Sequence, residues 1–271
     1  MIFIKDMQLG ILLTATIKAQ VRGGNFTIDE RSEMYRSTLE YYAKVIGKDY
    51  PIIFLENSDY DLSGMKDALG DRLNIEWIQV PMSDVGIPYN SSKGKAYNEY
   101  LMIKEGVLRS TKLAQCTHFL KITGRYAMLN IRTMIKEIEK RAEDKLFMGD
   151  VKDTRLYEWI GSANFGHWGD SRYWVAQVRY YKEEMADCYK EMDESVEGCW
   201  AEHYLLKMGR RYRNDSRFIF RFRHQVLFNG ITGMLTSADL ATGKYRQDSI
   251  YNRCKAHVRH VMRILLPNFW F

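Results

Sequence analysis

The chain has 271 residues, of which 46% are hydrophobic and 27% charged. This is the composition of a globular protein with a sizeable core, and it excludes a disordered or fibrous chain. The sequence has no apolar run near the roughly 18 residues that span a bilayer. Residues Met1 to Gln8 also lack the apolar region of a signal peptide. We therefore expect a cytoplasmic protein.

A net charge of +6 and a pI of about 9.0 favour an anionic partner, such as a phosphorylated substrate, a nucleic acid or a membrane surface. Only four prolines occur and no Gly/Ser/Pro-rich linker interrupts the chain, which predicts a single domain. The four cysteines lack the spacing of a metal site and are expected to be reduced thiols. They are Cys116, Cys188, Cys199 and Cys254.

Apolar β-branched runs alternate with helical spacing through the first half of the chain. Strands are predicted at 11–17, 52–55, 74–80, 117–123 and 146–148, and helices at 31–47, 93–110 and 131–142. This alternation predicts right-handed crossovers, and hence an α/β fold with one mostly parallel sheet flanked by helices. The second half is less regular, with helices predicted at about 171–188 and 198–208 and a strand near 217–223.

Polar residues at or just after the carboxyl ends of the predicted strands are the first candidates for ligand binding, because ligands of parallel sheets bind beyond those ends. They are Thr14, Thr16, Glu56, Asn57, Thr123, Gly124 and Arg125. Glu56 and Asn57 are suited either to bonding a base or ribose or to capping the next element. Lys93 and Gly94 begin a helix whose free N–H groups favour phosphate, although a solvated basic turn has the same residues.

One segment carries a family resemblance. Residues 91–100 are Ser-Ser-Lys-Gly-Lys-Ala-Tyr-Asn-Glu-Tyr, and residues 118–126 are His-Phe-Leu-Lys-Ile-Thr-Gly-Arg-Tyr. This resembles the middle of GT-A-type glycosyltransferases, in which a Gly and an Asn open a helix that leads into an apolar strand ending in Asp-x-Asp. Gly94 and Asn98 fill the helix positions here, and the resemblance covers roughly residues 10–150. It implies a nucleotide-sugar-binding half at 1–150, an acceptor and catalytic half at 151–245, and a C-terminal helix and tail at 246–271.

The sequence departs from that family where the Asp-x-Asp motif would stand. Thr123-Gly124-Arg125 takes its place, with Lys121 two residues earlier. Arg125 and Lys121 are suited to neutralising a leaving diphosphate, which predicts an enzyme that holds no metal and needs no cofactor. The alternative for Arg125 is a surface ion pair with a carboxylate such as Asp150. Asp150 and Asp153 are candidates for contact with the donor sugar or a divalent metal, or simply exposed acids of a turn.

Candidates for the acceptor site and for catalysis lie in the second half. Sugars stack on aromatic rings, which favours an acceptor site at Trp159, Asn164, Phe165, His167 and Trp168; the alternative is an aromatic core around a bend. Glu202 is the candidate base that deprotonates the acceptor, as the resemblance to inverting GT-A enzymes implies. Its rivals are Asp193, Glu194 and Glu197. His224 resembles the C-terminal His of such folds, although an exposed basic strand edge fits equally.

These features together predict a glycosyltransferase that moves a sugar from a nucleotide-sugar donor to a saccharide or lipid-linked hydroxyl. The resemblance implies bacterial surface polysaccharide or lipopolysaccharide synthesis. One alternative is a sugar nucleotidyltransferase, whose phosphate loop directly follows the first strand; here Arg22-Gly23-Gly24 comes later, and Arg22 is a further donor-binding candidate. The other is a nucleic-acid-binding protein, for which the chain has no recognised motif.

The C-terminal residues 250–271 have the pattern of a basic amphipathic helix. Val258, Val261, Met262 and Leu265 recur on one face, while Lys255, Arg259 and Arg263 recur on another. The chain ends in Phe269-Trp270-Phe271. Terminal aromatics and a basic face suit peripheral contact with an anionic membrane. The alternative is that the apolar face packs on the domain.

Overall fold

The computed structural model describes residues 7–19, 26–155, 166–229, 250–267 and 269–270. The strands are β1 (Leu9–Ala15), β2 (Ile52–Glu56), β3 (Ile75–Gln79), β4 (His118–Thr123), β5 (Ala127–Met128), β6 (Phe147–Met148), β7 (Val151–Asp153), β8 (His167–Gly169), β9 (Tyr173–Gln177), β10 (Phe218–Ile219) and β11 (Phe228–Asn229). The helices are α1 (Ile28–Val45), α2 (Ser63–Leu69), α3 (Gly94–Arg109), α4 (Ile131–Arg141), α5 (Val178–Tyr180), α6 (Ala201–Arg211) and α7 (Ile250–Leu265).

Seven of the strands form one sheet in the order β10-β6-β9-β4-β1-β2-β3. Neighbouring strands from β4 to β3 are parallel, whereas β9 runs antiparallel to both β4 and β6. β11 pairs with β5, and β7 pairs with β8, in two small antiparallel sheets. The predicted α/β architecture, a mostly parallel sheet flanked by helices, is therefore confirmed.

The register of the sheet brings the predicted ligand-binding edge together. Thr14 of β1 lies opposite Thr123 of β4, and Ala15 lies opposite Glu56 of β2. Every residue of β1 is buried, so this central strand is held on both faces. Its alternate side chains pack in two cores: Leu12 packs with residues of α3, and Leu13 packs with residues of α1 and α4. The polar side chains at the strand ends thus rest on a rigid base.

The predicted element list is wrong at one helix, and it misses several short elements. The helix predicted at about 171–188 begins instead as strand β9, followed by α5 and a π-helical turn at Tyr181–Met185. Four of the five residues of β9 are buried, because a strand inside a sheet covered on both faces shows no alternation. An apolar run of this kind cannot be told from a buried helix by its period. Helix α2 was not predicted, since it spans only seven residues.

Helix α7 contacts the rest of the chain through its basic face and not through its apolar face. Its inward side is polar: Arg263 is 5% exposed and donates to the Asp150 carboxylate at 2.8 Å and to the Phe222 carbonyl at 3.0 Å. Arg259 donates to Gln225 at 3.0 Å. The apolar face of Val258, Val261, Met262 and Leu265 is exposed. The alternative that this apolar face packs on the domain is therefore wrong.

The end of the chain is also partly buried. Trp270 is 7% exposed and packs against Phe220, with ring centroids 5.8 Å apart, while the guanidinium of Arg213 lies over its ring at 4.8 Å. Phe269 is exposed, and Phe271 lies outside the described residues. Within the described part of the chain, no helix is long and apolar enough to cross a membrane.

Candidate functional site

The close approach of β1 and β4 at their carboxyl ends depends on a glycine. The Gly124 N–H donates to the Thr14 carbonyl at 2.8 Å. A Cβ on Gly124 would lie 2.8 Å from that same oxygen and 3.4 Å from the Tyr35 ring. No larger residue fits without moving the backbone, so Gly124 holds the turn after β4 tightly against β1. The structure therefore brings Thr14, Thr123 and Gly124 together at one edge, as predicted.

A buried ion pair lies beside this turn. The Lys121 side chain is 0% exposed, and its Nζ lies 2.8 Å from Oε1 of Glu99, which projects from α3. Lys121 also donates to the Ser171 carbonyl at 2.8 Å and to the Thr123 hydroxyl at 3.1 Å. Its three N–H donors thus have protein partners, so the predicted direct contact of Lys121 with a diphosphate is not what the structure places there. Lys121 instead anchors Glu99.

Glu99 was not predicted as a site residue, although it follows Asn98 directly. The Thr14 hydroxyl donates to its Oε1 at 2.6 Å, and 26% of its side chain remains exposed. Burial alone would raise the pKa of this carboxyl, but the Lys121 ammonium, the Thr14 hydroxyl and the Arg125 guanidinium hold that pKa below its ordinary value. Glu99 is therefore an ionised carboxylate at the strand ends.

Glu202, the predicted base, is connected to this ion pair. Its Oε1 accepts from the Ser171 hydroxyl at 2.7 Å, and the Ser171 carbonyl accepts from Lys121. Burial raises the pKa of Glu202, and the negative charges of Asp170 and Glu99 raise it further. Ser171 is a site residue that the sequence did not reveal, because it comes from the turn between β8 and β9, which was predicted as the start of a helix.

Asp170, in the same turn, has a different electrostatic state. Its carboxylate accepts a bidentate pair of hydrogen bonds from Arg172, at 2.9 and 2.6 Å. Burial raises the pKa of Asp170, but the Arg172 guanidinium outweighs that effect and the pKa lies below its ordinary value. Two neighbouring carboxyls, Asp170 and Glu202, therefore have their pKa values pushed apart. Such a separation is typical of sites that use one carboxyl as a base and keep another ionised.

Arg125 lies at the edge of the same network, and its guanidinium stacks over the Tyr126 ring at 4.9 Å. One terminal nitrogen donates to the Tyr126 hydroxyl at 3.0 Å, and its buried Nε has no hydrogen-bond partner within the described residues. The alternative of an ion pair with Asp150 does not occur. Asp150 instead accepts from Arg263 and from the Tyr173 hydroxyl, at 2.8 and 2.9 Å, so its predicted contact with a donor sugar or a metal has no support in this geometry.

Hydrogen bonds hold the turn after β2 in shape and join it to the segment after β1. The Glu56 Oε1 accepts from the backbone N–H of Ser58 at 2.9 Å and of Ile17 at 3.3 Å. Asn57 accepts from the Thr16 hydroxyl at 2.7 Å. These bonds fasten the segment after β1 to the segment after β2, and neither side chain caps helix α2, so the capping alternative is wrong in its detail. The second oxygen of Glu56 is buried and has no partner among the described residues.

The start of α3 is filled by a side chain of the protein itself. Glu194 accepts from the Ala96 N–H at 2.9 Å, and a Cβ on Gly94 would meet its carboxylate at 2.5 Å. Gly94 has a φ of +87°, which also favours glycine there. Lys93 lies over the Tyr97 ring at 5.0 Å. The predicted phosphate position at Lys93 and Gly94 is therefore occupied by an internal carboxylate, the residue that was a rival for the catalytic base.

Asn98 serves the same segment rather than a ligand. Its amide nitrogen donates to the carbonyls of Asn90 and Gly94, at 2.9 and 2.7 Å. Its oxygen accepts from the Asn90 N–H at 2.9 Å, and the side chain is buried. With these bonds Asn98 holds the loop before α3, so its predicted role in donor binding is corrected to a structural one.

The β7–β8 hairpin contains two predicted site residues that bind each other. The Asp153 carboxylate contacts His167 Nδ1 at 2.6 Å and Arg210 at 2.7 Å. The hydrogen bond from Arg210 lowers the pKa of Asp153 most, and His167 adds to it. Asp153 is thus held as an ion-paired acid, which removes the basis for its predicted contact with sugar or metal, and His167 is its partner.

Trp168 belongs to an aromatic cluster close to Glu202. Trp168 and Trp200 are 37% and 38% exposed, and their rings lie 6.3 and 5.4 Å from the ring of His203. His203 follows Glu202 on α6, and its buried Nδ1 has no hydrogen-bond partner among the described residues. Trp200 and His203 were not predicted as binding residues, although both flank the predicted base in the sequence.

The remaining candidates lie apart from this network or outside the described residues. His224 contacts Glu137 of α4 at 2.7 Å and stacks on His260 of α7 at 4.1 Å, so it fastens α7 and its predicted diphosphate contact is unsupported. Arg22, Trp159, Asn164 and Phe165 lie outside the described residues.

The carboxylates at the strand ends do not suit a divalent metal. Glu99 and Asp170 each have a cationic side chain within 2.8 and 2.6 Å, whereas metal-binding carboxylates direct their oxygens at the ion. Across the ranges that the structure covers, no three His, Cys, Asp or Glu side chains form a group that could hold a metal.

Comparisons with known proteins give distant structural similarities. No family model matches the chain, and no curated protein matches it. A cytidylyltransferase from Leptospira borgpetersenii has a TM-score of 0.48 at 8% identity, covering 97% of both chains. A galactosyltransferase, LgtC, in complex with donor and acceptor sugar analogues has a TM-score of 0.45 at 12% identity, covering 90% of this chain and 81% of that one. The function therefore has to be inferred from the residues of this chain.

Proposed function

We propose that the chain is a glycosyltransferase that moves a sugar from a nucleotide-sugar donor to a hydroxyl of a saccharide or glycolipid. The observation that carries the proposal is the carboxyl of Glu202, whose pKa is raised by burial and which is connected through Ser171 to the Lys121–Glu99 pair. A base with a raised pKa is suited to accept the proton of a hydroxyl near neutral pH. Its position beyond the carboxyl ends of β1 and β4 is where ligands of such sheets bind.

The reaction proposed is a direct displacement. Glu202 takes the proton of the acceptor hydroxyl while that oxygen forms a bond to the anomeric carbon. The bond between that carbon and the diphosphate oxygen breaks on the opposite side, and the electron pair leaves with the nucleoside diphosphate. A single base acting in one displacement inverts the anomeric centre. Inversion is therefore part of the proposal.

Arg125 is the proposed partner of the leaving diphosphate. Its guanidinium lies one residue after the Gly124 turn, and a guanidinium forms strong, charge-assisted hydrogen bonds with phosphate oxygens. Because the nearby carboxylates are paired with cations, we propose that this charge replaces a metal. Lys121 contributes through its field at the strand ends and through its hold on Glu99, since its own donors are used.

The acceptor is proposed to bind on the Trp168–Trp200 cluster beside Glu202. The apolar face of a sugar ring stacks on exposed indole rings, and the His203 ring contacts both tryptophans. The setting we propose is bacterial surface polysaccharide or lipopolysaccharide synthesis at the cytoplasmic face of the membrane. A nucleic acid is not among the proposed partners.

A thermal-shift panel tests the proposal. UDP-, GDP-, CMP- and dTDP-sugars are each added to the full chain with and without Mn²⁺. The amount of nucleotide released measures hydrolysis or transfer. We expect at least one nucleotide sugar to raise the melting temperature, and an Arg125→Met variant to lose most of that shift. Stabilisation by CTP alone, with diphosphate release from CTP and a sugar phosphate, would indicate a nucleotidyltransferase instead.

A further inference from the structure

Helix α7 presents an unusual surface, because its cations face the protein and its apolar side chains face solvent. The inward stripe consists of Arg259, His260 and Arg263, which bond to Gln225, to the Arg223 carbonyl and to Asp150. The outward row contains Val258 at 62% and Leu265 at 68% exposure. A helix attached only for stability would bury the apolar row, since that burial drives most helix packing.

The exposed row continues past the end of the helix. We use the name α7 patch for the exposed apolar side chains of this segment, which are Val258, Val261, Met262, Ile264, Leu265, Leu266 and Phe269. Val258, Val261, Met262 and Leu265 share one face of the helix, and the other three lie beside it within the same 12 consecutive residues. Contiguous exposed apolar patches on soluble proteins mark interaction sites.

Positive charge surrounds the α7 patch. Helix α7 has no acidic residue, and Lys255, which lies outside the inward stripe, is exposed. The end of α6 and the turn after it add Lys207, Arg210, Arg211 and Arg213. The guanidinium of Arg213 lies 4.8 Å from the Trp270 ring. Since Trp270 directly follows Phe269 of the α7 patch, this second basic segment lies beside the patch. A fitting partner therefore has an apolar interior to take up the patch and negative charge at its surface to face the basic residues.

We propose that the α7 patch docks on the surface of an anionic lipid bilayer, with its apolar row inserted among the acyl chains and the basic segments beside the headgroups. A second copy of the chain fits less well, because a two-fold contact would place the same positive segments against each other. An anionic bilayer provides both the apolar layer and the opposite charge. This proposal goes beyond the proposed function and does not depend on it.

Vesicle flotation of the full chain tests it. The vesicles are phosphatidylcholine with and without about a third phosphatidylglycerol, at low and high salt. We expect flotation with the anionic vesicles, weaker flotation at high salt and little with phosphatidylcholine alone. The variant Val261→Asp/Leu265→Asp should bind the anionic vesicles at least about 100-fold more weakly, since each apolar side chain moved out of water contributes about tenfold in partitioning.

A matched control separates the α7 patch from a general effect of charge. Val85 and Leu108 are exposed apolar residues outside α7, so Val85→Asp/Leu108→Asp adds the same charge elsewhere and should float like the wild type. Circular dichroism and melting temperature should be unchanged in both variants, because the substituted side chains are exposed. Absence of flotation at low salt would overturn the proposal. So would a dimer, seen by sedimentation, that Val261→Asp/Leu265→Asp dissociates while neither protein floats.

Discussion

The Lys121–Glu99 pair offers a sharp test of how the strand ends are held. Replacing Lys121 with Met keeps most of the length of a side chain that is 0% exposed but removes its charge. The Glu99 carboxylate then lacks the ammonium that lies 2.8 Å away in the wild type. Removing one partner of a buried ion pair costs roughly 3–5 kcal/mol. Because the Glu99 side chain is 26% exposed, water relieves part of this cost, and we expect the free energy of unfolding to fall by about 2–3 kcal/mol at pH 7.

The pH dependence identifies the charge as the cause. In the wild type the lowered pKa of Glu99 contributes stability that is present above the ordinary value of 4.5 and is lost as the pH falls through the folded pKa. In Lys121→Met burial raises that pKa, so Glu99 is protonated earlier on acidification. The difference between the two proteins should therefore be complete at pH 7 and shrink towards pH 4.

Urea unfolding from pH 8 to pH 4 measures this difference. Lys145→Met is the matched control. The Lys145 side chain is 18% exposed but its partner Asp144 is 75% exposed, and pairs with a solvent-exposed partner contribute about 1 kcal/mol or less. A loss for Lys121→Met that is no larger than for Lys145→Met, or that is the same at every pH, would refute the reasoning.

Three further predictions concern the site. Glu202→Gln should lower turnover about 10²–10⁴-fold with donor affinity unchanged. The wild-type rate should fall on acidification with a midpoint above 4.5, because burial raises the pKa of Glu202. Normal turnover in the variant would show that another acid is the base. Activity should survive dialysis against EDTA, and loss of activity that Mn²⁺ restores would contradict a metal-free site. Glu194→Ala should cost about 0.5–2 kcal/mol in urea unfolding, because the start of α3 loses its acceptor, whereas Glu197→Ala, at an exposed position of the same loop, should change nothing.

The first half of the fold could be predicted closely because its sequence patterns agree with each other. The helix predicted at 93–110 is found at Gly94–Arg109, and the strand predicted at 117–123 at His118–Thr123. Pattern alone did not give β9, where both faces are buried. Nor did it give the orientation of α7, because periodicity shows that a helix has two faces and says nothing about which one meets the protein.

The part of the candidate site at the strand ends was predictable from the strand pattern. Thr14, Thr123 and Gly124 lie at or just after the ends of β1 and β4, and the parallel register brings them together. Glu99 and Ser171 come from a helix and a turn distant in sequence, and only the contacts of Lys121 connect them. The phosphate position predicted at Gly94 failed for the same reason, since Glu194 reaches it from 100 residues further along the chain.

The place of β9 in the sheet has a consequence for how the chain folds during synthesis. Among the described strands, β6 pairs with β9 and β10 in the central sheet, and both follow it in sequence. When β4 has left the ribosome, the edge of β4 that pairs with β9 in the folded sheet stays unpaired until β9 emerges, about 50 residues later. At 5–20 residues per second this takes roughly 3–10 s. A nascent chain ending near residue 150 would therefore present an open apolar strand edge, which is the kind of surface that chaperones cover.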